Sequence, residues 1–216
     1  MAEEIYMQLQ QAVLDGESED AEAVAKQALE QGLDPLACID NGLTKGIQRV
    51  GELFSSGEYF LPELIMGADA MKAALEILEP ALVGNQQREV VGRVVLGTVA
   101  GDLHEIGKTL VGTMLTANGF DVIDIGVDKS TDEFIAAVKE HNAEIIGASA
   151  LLTTTMLQQK VLVQALEEAG LRNQVKVMVG GAPVTDSFAK EIGADGYAED
   201  AISAVDMAMR LIDAPA

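Results

Sequence analysis

The 216-residue chain has no tryptophan, a single cysteine, two histidines, and only fourteen basic residues against thirty-five acidic ones. One cysteine, Cys38, excludes an internal disulfide framework and any cysteine-rich zinc or iron–sulfur site. The shortage of lysine and arginine leaves a formal net charge of −21. A surface that negative repels phosphate backbones and anionic lipid, so no nucleic acid and no membrane is expected as a partner. No apolar run approaches the roughly 18 residues that a bilayer span needs. The start, Met1-Ala2-Glu3-Glu4, is acidic and lacks the basic opening and apolar run of a secretory signal. A cytoplasmic protein is expected. Aromatics make up 4% of a chain that is 49% hydrophobic, so its core must be built mainly from Ala, Val, Leu, Ile and Met.

What is present falls into two rhythms. Residues 1–83 carry helical periodicity: Ile5, Leu9, Val13 and Leu14 share one face, and a second helix is predicted over 20–31. Asp34-Pro35 opens a third, predicted to run to Phe54 with Leu36, Ile39, Leu43, Ile47, Val50 and Phe54 inward. A fourth runs from Pro62 to Glu79, with Leu64, Ile65, Ala68, Met71, Leu75 and Leu78 inward. Four helices with short connections predict a bundle. Residues 84–92 are polar and glycine-flanked, and read as a linker. From 93 to 216 short apolar runs alternate with helical segments. Strands are predicted near 93–99, 121–125, 144–149, 175–179 and 195–197, with helices near 106–118, 131–141, 154–169, 185–192 and 200–213. This alternation predicts an α/β domain of Rossmann-like type, a five-stranded parallel sheet with the flavodoxin order 2-1-3-4-5.

In such a sheet a ligand sits beyond the carboxyl ends of the strands, where the strand order reverses. The loops there run from Ala100 to Glu105, Ser149 to Thr155, and Gly180 to Val184. They carry Asp102 and His104, a hydroxyl run (Ser149, Thr153, Thr154, Thr155), and Gly180-Gly181. Gly107-Lys108-Thr109 is spaced one residue too far from Gly101 for a phosphate loop, and Asp102 and Glu105 would repel phosphate. His141, at a predicted helix end, reads as a dipole contact. His104 could belong to a Ser149–His104–Asp102 triad, but no Gly-x-Ser-x-Gly elbow accompanies it. It could ligate a metal, yet no further His or Cys is available to complete a zinc site. A metal cofactor bringing its own equatorial nitrogens would need one protein ligand, oriented by a carboxylate on the second ring nitrogen.

At Asp102-Leu103-His104-Glu105-Ile106-Gly107, Ser149-Ala150-Leu151 and Gly180-Gly181 the chain resembles the cobalamin-binding domains of the methionine synthase and methyltransferase corrinoid-protein family. Leu53-Phe54-Ser55-Ser56-Gly57-Glu58-Tyr59-Phe60-Leu61-Pro62-Glu63-Leu64 resembles that family's helical cap, so the likeness covers nearly the whole chain. The family pattern implies cobalamin or a related corrinoid, bound base-off and His-on with His104 as the lower axial ligand to cobalt. Asp102 would bond His104, and Thr155, where methionine synthase has serine, would extend that relay. Gly107 would let its helix start close to the corrin, with Leu103, Ile106 and Thr153 beside it. Ser149, Leu151, Gly180 and Gly181 would line the groove for the displaced nucleotide tail, where anything larger than hydrogen at the glycines would clash. Phe60 would shield the reactive upper face. The implied role is methyl carriage without catalysis by the chain alone. A substrate-specific methyltransferase would load the cobalt, a second methyltransferase would unload it to a folate or thiol, and a reductive activase would repair it. The alternatives that share the motif are a carbon-skeleton mutase subunit and a cobalamin sensor; a flavodoxin-type oxidoreductase or signalling domain is the reading outside it.

Overall fold

Spacing alone accounts for the helices of the first half. Helix α1 (Ala2–Asp15) buries Ile5, Leu9, Ala12 and Val13 at helical intervals. Helix α2 (Ser18–Glu30) buries only Ala21, Ala25 and Ala28. That thin stripe lies in a helix packed against α1 and α5 (Leu61–Leu78). Pro35 opens α3 (Pro35–Cys38) in the first turn, where its missing N–H costs no intrahelical bond.

The helix predicted from Pro35 to Phe54 differs in one respect. A π-turn over Ile39–Leu43 separates α3 from α4 (Thr44–Ser55), with the backbone staying right-handed helical on both sides. The wide turn is stabilised from outside: the Gln10 side chain of α1 donates to the Asn41 carbonyl at 2.6 Å. Gly42 and Gly46 let this rod approach α1, since Cβ atoms there would stand 2.8 Å from Leu9 and 3.0 Å from Val13. The inward face of α5 is also rotated from the predicted one. It buries Leu64, Gly67, Ala70, Met71, Ala74 and Leu78, while Ile65, Ala68 and Leu75 are half-buried. At Gly67 a Cβ would meet the Val13 carbonyl at 3.0 Å. Close approach selected small residues that a count of large apolar ones overlooks.

The computed structural model describes residues 2–82 and 90–213. The chain divides into two compact units, Met1–Glu89 with Thr116–Gly119, and Val90–Leu115 with Phe120–Ala216. Most of the proposed linker, residues 84–89, lies outside the described residues.

The second unit is a five-stranded sheet in the order β2-β1-β3-β4-β5, every pairing parallel. The strands are β1 (Arg93–Val99), β2 (Asp121–Lys129), β3 (Ile145–Ser149), β4 (Lys176–Gly180) and β5 (Gly196–Ala198). They alternate with α6 (Ile106–Ala117), α7 (Thr131–His141), α8 (Leu157–Glu168), α9 (Asp186–Ile192) and α10 (Ala201–Asp213). One face of the sheet gives Val95, Ile146, Val177 and Val179 to a core closed by α7, α8 and α9. Fully buried Phe134 anchors that core, contributing about 2–3 kcal/mol by the usual area rule. The other face carries Leu96, Gly147 and Met178 towards α6 and α10. Strand β2 extends four residues beyond the predicted end at 125, with register shifts against β1 after Leu96 and Gly97. Near the end of the strand Asp128 has a positive φ of 53°, a conformation that Asp tolerates better than most residues.

Candidate functional site

The strand ends place the site. At the close of β1 the fully buried Thr98 donates its hydroxyl to the His104 carbonyl at 2.9 Å. The intervening turn is held from β2: Gly101 N–H donates to Asp128 Oδ1 at 2.7 Å, and Asp128 N–H donates to the Asp102 carbonyl at 3.0 Å. Asp102 is wholly buried, and both of its oxygens are used. Oδ1 accepts from the His104 backbone N–H at 3.1 Å and from His104 Nδ1 at 2.7 Å. Oδ2 accepts from the Thr155 hydroxyl at 2.6 Å and from the backbone N–H groups of Leu151 at 2.8 Å and Leu152 at 3.3 Å.

Burial alone would push the Asp102 carboxyl up. The donors from Thr155, His104 and the Leu151 N–H outweigh it, and hold the group well below the usual carboxylate range. Asp102 is therefore anionic, so the ring hydrogen sits on Nδ1 and Nε2 is the nitrogen left to bind a metal. The imidazole is 51% exposed. Around it stand Leu103 and Ile106, 71% and 77% exposed, with Leu151 and Leu152 partly so. Apolar side chains this open beside a polar group mark a binding surface. Among the described residues no cluster of three His, Cys, Asp or Glu side chains could cage a metal ion. The donor set is one oriented imidazole on an apolar platform, and it fits a flat macrocycle that supplies its own remaining ligands.

Beside the platform opens a cavity of about 570 Å³, lined by His104, Ile106 and Gly107 on one side, by Ser149, Leu151, Gly180 and Gly181 at the strand ends, and by α10 opposite. Gly181 cannot be anything else: its φ is +123°, and a Cβ would lie 1.8 Å from the Ala150 carbonyl oxygen. At Gly180 the corresponding neighbour is the Ala198 carbonyl, at 2.9 Å. The clash expected with a bound tail is thus preceded by one with the chain's own backbone. Gly107 is the opposite case, with nothing within 4 Å of a Cβ, so its open side faces free space.

The three predicted loops converge. Ala150 N–H donates to the Gly180 carbonyl at 3.2 Å, alongside the Leu151 bond to Asp102. Leu103, Ile106, Gly107, Ser149, Leu151, Gly180 and Gly181 all border the cavity with His104. Asp102 and Thr155 lie behind the imidazole, and Thr153 is exposed outside the cavity lining. Phe60 belongs to the helical unit, 67% exposed at the head of α5, where its N–H donates to Glu63 at 2.9 Å.

Four features went unread in the sequence. Thr98 and Asp128 fix the ends of the His104 loop. Buried Gln159 donates to the Ala148 and Gly180 carbonyls at 2.9 and 3.0 Å, tying β3 to β4 at the cavity edge. Lys108, the lysine that suggested a phosphate loop, is buried and ion-paired with Asp124. Only the Gly126-Val127-Asp128 turn pattern offered a signal for any of these.

Models of the B12 binding domain match residues 92–206, and a second B12 binding domain model matches 5–79. A corrinoid protein of Desulfitobacterium hafniense (strain Y51) is 46% identical over 95% of this chain and 96% of its own length. The trimethylamine corrinoid protein of Methanosarcina barkeri is 44% identical over 94% of each chain. The solved methanol:cobalamin methyltransferase complex of Methanosarcina barkeri matches at a TM-score of 0.88 and 32% identity, covering 98% of this chain and 81% of that one. An oriented lone imidazole, an apolar platform and these likenesses agree, and the chain belongs to the family of B12-binding corrinoid proteins.

Proposed function

We propose that this protein is the methyl carrier of a substrate-specific methyltransferase system, holding its corrinoid base-off with His104 Nε2 beneath the cobalt. The observation that carries the reading is the relay from Thr155 through buried Asp102 to an exposed His104. When bound, the corrinoid supplies a cobalt centre that can accept a methyl group and give it up. The chain's own work is to present one nitrogen in a fixed tautomer and to balance its charge. Asp102, held ionised, orients the Nδ1–H and can offset a proton taken up at Nε2 whenever the ring is not coordinating. Leu103, Ile106 and Leu151 keep water from the lower face, and the cavity beside them takes the displaced nucleotide tail. The shielding role that the family pattern gives Phe60 is part of the same proposal.

The carrier role implies three partners: a methyltransferase that brings the donor, a second that removes the methyl to a folate or thiol, and an activase that restores reduced cobalt. The names of the relatives, which include trimethylamine and dimethylamine corrinoid proteins, point to methylamines as donors. The test is a methyl-transfer assay with the reconstituted full chain, a cognate methyltransferase, and trimethylamine, dimethylamine or methanol. Demethylation of one of them that depends stoichiometrically on this chain is expected. Holo protein that loses no methyl group to any acceptor, and gains none from any donor, would sink the proposal.

A further inference from the structure

The turn that leaves β3 at Ala150 and returns as α8 bonds one side of the buried carboxylate. The Leu151 and Leu152 N–H groups and the Thr155 hydroxyl all donate to Asp102 Oδ2. Gln159, fully buried in the first turn of α8, pins the far end of that segment. Its Nε2 donates to the Ala148 carbonyl at 2.9 Å and to the Gly180 carbonyl at 3.0 Å. The two carbonyls meet at the last rung of the β3–β4 ladder, the Ser149–Gly180 pair. Past that rung the strands part into the turn that bonds Asp102 and the loop that opens with Gly181.

The side chain does this against its own interest. Among the described residues, Gln159 Oε1 is the buried side-chain polar atom with no hydrogen-bond partner, and an unmet buried acceptor lowers stability. Turning the amide over would set Oε1 against two carbonyl oxygens, so its orientation is fixed. The Gly180 carbonyl does not depend on Gln159, because it also accepts from the Ala150 N–H at 3.2 Å. Packing does not depend on it either. The core residues beside it on α8 are Leu162, Val163 and Leu166, and a methionine of similar length would fill the space without an orphan oxygen.

We propose that Gln159 is a positioning residue of the cobalt-ligand relay. Its amide clamps the start of α8 to the strand ends and keeps the Leu151, Leu152 and Thr155 donors on Asp102. Through the Asp102 Oδ1 bond to Nδ1, it thereby fixes the direction of the His104 ring. The inference rests on the reading that His104 ligates the corrinoid cobalt. A polar group that lowers stability and is not needed for packing is kept where a site must hold its geometry.

The experiment uses full-length Gln159→Met and Gln159→Leu. As apoproteins they are compared with wild type by urea unfolding and by amide hydrogen exchange. Each is then titrated with cobalamin and examined by electron paramagnetic resonance in the Co(II) form. The unfolding midpoint is expected to stay the same or rise, while Leu151 and Leu152 exchange roughly 10-fold faster. The cobalamin Kd should rise roughly 10-fold, with a broadened imidazole nitrogen coupling. Leu162→Ala, a cavity one turn further along α8, is the control: it should lower the midpoint and keep the wild-type coupling. Unchanged exchange at Leu151 and Leu152 in both Gln159 variants overturns the inference. Faster exchange there with an unchanged Kd and coupling also overturns it, since the relay would not depend on the clamp. So does a lowered midpoint with faster exchange throughout the α/β unit, or failure of both variants to fold, because Gln159 would then be a core residue and nothing more. A wild-type holo protein without imidazole coupling brings down the underlying reading, and exchange in the apoprotein would still decide whether Gln159 places the donors to Asp102.

Discussion

In the helical unit the largest fully buried side chains are Leu9, Ile39, Leu43, Ile47, Leu64, Met71 and Leu78. The α/β unit sets Thr98, Asp102, Lys108, Thr113, Thr155 and Gln159 among its buried apolar residues, and among the described residues the helical unit buries no such polar side chain. Even Cys38, the one buried thiol, is inert there: burial, aided by the Asp34 charge, pushes it up to about 11. A buried polar group costs stability unless each of its bonds is made. The core of the helical unit therefore carries packing alone, whereas Thr98, Asp102 and Thr155, among the buried polar residues of the α/β unit, hold the imidazole and its loop. The two should respond differently to mutation.

The largest effect is expected at the strand ends. Gly181→Ala forces a Cβ onto the Ala150 carbonyl and should cost about 4 kcal/mol or more, measured by urea unfolding of the apoprotein. Gly107→Ala, with nothing within 4 Å, should shift the apoprotein by no more than about 0.5 kcal/mol. Equal effects would mean that the pair does not report backbone constraint.

Next, a cavity in the helical unit and a lost hydroxyl in the α/β unit should separate stability from coordination. Leu43→Ala should cost about 2–5 kcal/mol and leave the axial imidazole signal of the holo protein unchanged. Thr155→Val should cost about 1–3 kcal/mol, because Asp102 loses its 2.6 Å donor, and should also alter that signal, with Thr155→Ser restoring it. The comparison breaks if the Leu43 variant perturbs the imidazole as much as the Thr155 variant does.

A smaller effect is expected at Asp128. Asp128→Ala removes the acceptor for Gly101 N–H and should cost about 1 kcal/mol, broadening the imidazole signal through a looser His104 loop. Asp128→Asn keeps an acceptor and tolerates the left-handed backbone, so it should behave as wild type. Loss of signal in both variants would instead point to the negative charge.

The parts of this structure that follow from local rules were legible in the sequence. Alternating apolar runs and helical segments led to the parallel sheet and its order, and strand-end loops led to Asp102, His104, Gly180 and Gly181. What escaped depended on partners distant in sequence. The π-turn at Ile39–Leu43 is tied to Gln10 of another helix, and the rotated face of α5 follows from how closely α1 approaches Gly67. Asp128 was hidden because β2 continues past its last strongly apolar stretch, through a register shift that no two-residue alternation encodes. Spacing already argued against a phosphate loop at Lys108, but its actual partner, Asp124, lies sixteen residues on and was not legible.

The most direct test of the central claim, that His104 is the protein's ligand to cobalt, is electron paramagnetic resonance of the reconstituted protein in its Co(II) form. Nitrogen coupling from one axial imidazole is predicted in the wild type. It should disappear in His104→Gly and return when free imidazole is added to that variant. Coupling that persists in His104→Gly without added imidazole would contradict the account.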